Sequence, residues 1–206
     1  MSFPDKTYST VSEFALEYFA QYVKCSEHFP HENLSLAVES LISTYASGNM
    51  VYVCGNGGSA AISNHLVCDH LKGIKATTAV SPRVTSLSSN IEIITAIAND
   101  IDYNDIFVFQ LESLAQRGDL LITISASGDS ENIVRALDWA SANGLASISM
   151  TGFDGGRSAK LADVNLHVGG DNYGVIEDVH QSIMHILAQY VRLISMDKGK
   201  IVESRF

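Results

Sequence analysis

Cationic side chains are scarce in this chain. Its 206 residues hold 13 Lys and Arg against 23 Asp and Glu, a formal net charge of −10. That shortage argues against a sequence-independent nucleic-acid surface, which needs lysine and arginine to displace counterions. It leaves room for a local basic site. Only three cysteines occur, Cys25, Cys54 and Cys68, with no C-x-x-C spacing. They read as free, buried thiols of a reducing compartment. Proline is equally sparse, at Pro4, Pro30 and Pro82. No apolar run is long enough to span a bilayer. The opening "MSFPDKTYSTVSEF" has neither the basic n-region nor the apolar h-region of a secretory signal. A cytoplasmic protein without membrane or nucleic-acid partners is the expectation. No internal repeat or low-complexity segment appears.

What the chain does have is apolar content, 46%, with a mean hydropathy of +0.12. That suits one well-packed domain over 1–206. Residues 8–29 carry Val11, Phe14, Ala15, Tyr18, Phe19, Tyr22 and Val23 at helical spacing. A second helix is expected over about 34–45. Residues 1–47 therefore read as a helical extension that buries surface between chains, and 48–206 as an α/β core. Four apolar, β-rich runs follow: "NMVYVCG", "DLLITISASG", "LASISMTG" and "VNLHVGG". Each resembles a buried parallel strand. Helical stretches fall between them, near 59–72, 103–115, 130–143 and 156–162, and a long one closes the chain over 176–196. This alternation predicts a parallel sheet flanked by helices, with ligands beyond the C-terminal strand ends.

Two of those strand ends carry similar chemistry, "CGNGGS" (54–59) and "ISASGDS" (124–130). Glycines admit an anion to backbone N–H groups, and the following helix N-terminus adds unpaired donors. Ser59, Ser125, Ser127 and Ser130 add hydroxyls, and Asn56, Gly57, Gly58 and Asn132 flank them. Neither loop holds a lysine or matches GxxxxGK[ST], and GNGGS is not GxGxxG. A site for one phosphate monoester fits better than ATP or NAD. The plainer reading is two strand-to-helix turns with serine N-caps. Two such loops at consecutive strand ends favour phosphate.

These segments, with "ITISASGDSENIVRAL" and "TGFDGGRSAKLAD", resemble the sugar isomerase (SIS) domain. Within it the chain resembles the phosphoheptose isomerases. The likeness covers nearly all of the sequence, including "ANDIDYNDIF" and "VHQSIMHIL". It implies a three-layer, flavodoxin-like α/β fold and a homotetramer with active sites at subunit interfaces. It implies isomerisation of sedoheptulose 7-phosphate to D-glycero-D-manno-heptose 7-phosphate, the first step toward activated heptose for lipopolysaccharide or capsule. The family's phosphate-binding serines fall at Ser59, Ser125, Ser127 and Ser130, and Asp100, beside Asn99, matches its acidic "ND" residue. Its metal, usually zinc, is held by a His and a Glu one turn apart, and by a Gln and a His on the last helix. Those positions are His65, Asp69, Glu177 and His185 here. Asp69 and His185 inherit the roles of base and partner acid.

The chemistry needs these types. Aldose–ketose isomerisation moves a proton between adjacent carbons, shuttles another between oxygens and must stabilise an enediolate. Three departures stand out: Asp69 replaces Glu, Glu177 replaces Gln, and "DNYGVIED" is one residue short of the family's acidic substrate contact. Glu177 and His185 lie eight residues apart, about 12 Å along an ideal helix. Either Glu177 precedes the regular helix or the ligands come from different chains. Two rivals remain: isomerisation of another sugar phosphate, and a non-catalytic SIS protein that binds a phosphosugar or a replication initiator. Retention of His65, Asp69, Glu177 and His185 disfavours the second. His180 reads as a surface or interface histidine, and His70 as pointing off the Asp69 face. His28, His31 and His167 read as loop or strand residues, and Cys54 and Cys68 as core.

Overall fold

The computed structural model describes residues 3–204 and 206. Two helices open it, α1 (Val11–Glu27) and α2 (His31–Ala46). Strand β1 (Val51–Gly55) leads into α3 (Gly57–Cys68), which continues as a π-helical segment, Asp69–Ile74. Then come β2 (Val84–Ser86), α4 (Ile91–Asp100), a 3-10 turn (Tyr103–Asp105) and α5 (Val108–Leu114). Strand β3 (Leu120–Ser125), α6 (Glu131–Asn143), β4 (Ala146–Thr151), α7 (Ser158–Leu161), β5 (Val164–His167) and α8 (Tyr173–Ser195) follow.

The five strands form one parallel sheet in the order β2-β1-β3-β4-β5. Alternate strand residues feed two cores. Val51, Val53, Leu120, Ile122 and Ile124 face α1, α2, α3 and α8, whereas Tyr52, Cys54 and Leu121 face α4, α5 and α6. Each fully buried aliphatic side chain stabilises the fold by roughly 1.5–3 kcal/mol. Both faces are covered, which is why β1 and β3 are mostly apolar and why even Ser147, Ser149 and Thr151 of β4 are buried. The order reverses at β1, so the crevice between the ends of β1 and β3 is the topological switch point.

Strand β2 and helix α4 are additions to the four strands and the helices that periodicity predicts. Helix 103–115 is split in two, and α2 and α8 begin three residues earlier than expected. The apolar stripe of α1 is also divided. Phe14, Tyr18 and Tyr22 pack on the core, while Val11, Phe19 and Val23 stay exposed. Tyr18 donates to Asp178 Oδ2 at 2.6 Å and Tyr22 pairs with Ser182 at 2.7 Å, so the N-terminal helix braces α8. Among the described residues no helix is long and apolar enough to cross a membrane.

Candidate active site

The loops after β1 and β3 meet as the topology requires. Asn56, Ser59, Ser125, Ser127 and Ser130 line one cleft of about 150 Å³, joined by Tyr173 and Glu177. Asn56 and Asn132 clasp each other through reciprocal amide bonds, 2.9 and 3.0 Å, and Tyr103 donates to Asn56 at 3.1 Å. This pair ties the start of α3 to the start of α6. Neither N-cap side chain, Asn56 or Ser130, bonds to its own helix. The first turns of both helices therefore keep the unpaired N–H groups that favour an anion. The second loop is fixed from behind. Gly152 N–H donates to Ala126 O at 2.9 Å, and Ser158 N–H to Gly128 O at 2.8 Å. Gly128 has φ +65°, and a Cβ there would lie 2.1 Å from the Gly155 carbonyl oxygen, so only glycine fits.

Glu177 lies inside α8, which removes the option that it precedes the helix. Its carboxylate does not join the histidines. It covers Gly58, where an added Cβ would fall 2.5 Å from Oε2. Burial, and then the neighbouring Asp178, hold its carboxyl above the usual range. Asn99 and Asp100 bond to each other at 2.6 Å on the exposed end of α4 and do not line the cleft. Asp171 accepts from Phe3 N–H at 3.2 Å.

At the far end of the same helix pair, His65, Asp69 and His185 converge. One ligand atom from each lies within 4.8 Å of the others. His185 Nδ1 is 2.7 Å from Asp69 Oδ2, and His65 Nε2 is 3.5 Å from Asp69 Oδ1. The rings of His65 and His185 stand edge to face, 4.9 Å between centroids. Two imidazoles and a carboxylate are a donor set that suits a divalent transition ion, zinc among them. Asp69 is where α3 turns π-helical, a distortion common at functional sites. Gln181, absent from the sequence reading, bonds to both histidines at 3.0 Å. Its signal was spacing: Glu177, Gln181 and His185 recur every four residues along one face of α8.

The structure corrects the readings of His180 and Cys68, and it shows where His70, off the Asp69 face, points. His180 is fully buried, with Nε2 3.1 Å from Thr151 O, because its side of α8 packs on the sheet. His70 is fully buried against the Tyr45 hydroxyl. Burial pushes both imidazoles down to about 4. Cys68 is exposed and unpaired, since the end of α3 rides over the surface there; Cys25 and Cys54 are buried.

The SIS domain family model matches residues 17–152. The chain is 37% identical over 160 residues to the phosphoheptose isomerase of Aliarcobacter butzleri, covering 78% of this chain and 84% of that protein. It is 33% identical over 180 residues to that of Nitratidesulfovibrio vulgaris strain Miyazaki F, covering 86% of each. The solved phosphoheptose isomerase of Neisseria gonorrhoeae superposes with a TM-score of 0.82 at 27% identity, over 88% of this chain and 98% of that one.

Proposed function

The chain belongs to the phosphoheptose isomerase family of SIS-domain proteins, and we propose that it converts sedoheptulose 7-phosphate to D-glycero-D-manno-heptose 7-phosphate through an enediol. One observation carries the reading. The Asp69–His185 pair, at 2.7 Å, sits on the same α3–α8 seam that presents the serine cleft at its other end. The cleft takes the phosphate with Ser59, Ser125, Ser127, Ser130 and the helix N-termini. The sugar then runs along the seam toward the pair.

There a proton leaves C1 of the ketose and returns at C2, while a second proton moves from O1 to O2. Asp69 is the base for the carbon-bound proton, and His185 carries the proton between the oxygens. With no ion between them, Asp69 orients the imidazole by accepting its Nδ1–H. His65, Asp69 and His185 would hold a zinc ion, which when bound supplies a Lewis acid for the enediolate oxygen. Glu177 must yield the space beside Gly58 as the phosphate enters. Exposed Val11, Leu16, Phe19 and Val23 on α1, with Ile186, Tyr190 and Ile194 on α8, support burial between subunits of a homotetramer. The three free thiols suit the cytoplasm.

The test is direct. Zinc-loaded protein is incubated with sedoheptulose 7-phosphate in D₂O and followed by NMR. The aldose appears with deuterium at C2 if the reading is right. No product and no exchange, with metal and oligomer intact, overturns it.

A further inference from the structure

Gln181 stands one turn before His185 on α8 and touches both histidines of the metal group. Its amide nitrogen Nε2 lies 3.0 Å from His65 Nδ1 and 3.0 Å from His185 Nε2. The opposite ring nitrogens face Asp69, His185 Nδ1 at 2.7 Å and His65 Nε2 at 3.5 Å. The four side chains thus close a ring: Gln181, His65, Asp69, His185.

Proton bookkeeping around that ring assigns Gln181 a task. A neutral imidazole carries one proton, and a nitrogen that ligates an ion must be bare. The nitrogens beside the Asp69 carboxylate are the pair placed to share an ion with it. Their protons then sit on the outer nitrogens, and both outer nitrogens face Gln181. A glutamine carbonyl has two lone pairs and accepts two N–H groups. Without the ion the imidazole protons lie toward Asp69, and the amide turns over so that its NH₂ donates to the same two outer nitrogens. The two amide ends are alike in shape, so this exchange needs no movement of α8.

We propose that Gln181 is the positioning residue for a divalent cation at His65, Asp69 and His185: its carbonyl oxygen accepts the outer N–H of both imidazoles and sets their ligating tautomer. The proposal rests on the metal reading given under the proposed function. Ligating histidines generally need such a partner on the second nitrogen. The resemblance to the family points elsewhere, to Glu177, whose carboxylate covers Gly58.

The test is zinc affinity of the full chain, by competition with a chromophoric chelator, together with the absorption spectrum of the cobalt(II) form. Gln181→Leu and Gln181→Met remove both polar atoms, and the second keeps the unbranched shape should the first fail to fold. Both are expected to bind zinc about 10–100-fold more weakly, the usual cost of losing such a partner, with an altered cobalt spectrum. Gln181→Glu keeps two acceptor oxygens and is expected to bind at least as tightly as the parent. Equal affinity in parent, Leu and Met variants overturns the proposal. So does a Glu variant as weak as the Leu variant. A parent chain that binds no zinc removes the metal reading itself, and is told apart because the parent is measured first.

Discussion

At the β1–β3 switch point the cleft is assembled from loop backbone, helix ends and short hydroxyl side chains. The other end of the α3–α8 seam holds instead four longer side chains from two helices, in a closed ring. The first arrangement follows from topology: any parallel sheet in this order brings those loops together. The second depends on how α8 is rotated against α3, which the tyrosines of α1 help to hold. The cleft spreads its contacts over many weak donors, while the ring concentrates them in few groups.

The sharpest way to separate the two ends is Asp69→Asn. It removes the proposed base and the negative charge beside His185, and turnover should fall by about 10²–10⁴-fold, read by NMR. Calorimetry with the sugar phosphate should still show binding. Equal losses in both would mean that the ends do not act separately.

The dry backing of each end is tested by pH. His70 lies behind the ring and His180 near the end of β4, and both are held down to about 4 by burial. An unfolded histidine protonates near 6.5. Between those values the unfolded chain binds protons that the folded chain refuses. Stability is full above about 6.5 and falls as the pH drops toward 4, by at most about 3 kcal/mol for each histidine. Urea melts at pH 7, 5.5 and 4.5 read this slope, and His180→Gln should make it shallower. A flat profile would show that neither imidazole is held neutral.

Cleft substitutions are expected to do less. Ser127→Ala removes one hydroxyl contact to a charged group, about 1.5–3 kcal/mol, so KM should rise about 10–100-fold with kcat nearly unchanged. A fall confined to kcat would contradict the assignment of phosphate to this end. Smallest of all, Glu177→Gln removes a negative charge from beside Gly58. It should tighten sugar-phosphate binding several-fold, on the order of 1 kcal/mol, and a weakened affinity would show that the carboxylate helps to hold the ligand.

The same contrast explains what the sequence reveals. The cleft is legible because glycine and serine loops follow recognisable apolar strands. Asn56, Ser59, Ser125, Ser127 and Ser130 come out at one place. The ring is half legible: His65 and Asp69 share a helix face by spacing alone, but their partners are 116 residues away. Resemblance to the family places the glutamine at 177, while packing brings Gln181 to the histidines. Strand β2 escapes because Val84–Ser86 is too short to show a pattern. Helix α4 escapes because Ile91, Ile93, Ile94, Thr95 and Ile97 are β-branched and favour strands. Its Asn90 cap, which accepts from Ile93 N–H at 3.0 Å, and its packing decide otherwise. His180 follows an aspartate in sequence and looks exposed, yet a long helix lying on a sheet must bury one whole side.

Glu177 has a last consequence. A carboxylate already rests at the start of α3, covalently tethered and therefore present at high effective concentration. Any anion that enters must compete with it. Free inorganic phosphate brings only its own charge to that contest. On the proposed reading a sugar phosphate also brings hydroxyls that reach the ring, where it would gain what it spends on displacement. On that reading the tethered carboxylate would weaken every anion alike, and the contacts at the ring would leave the sugar phosphate as the anion that still binds.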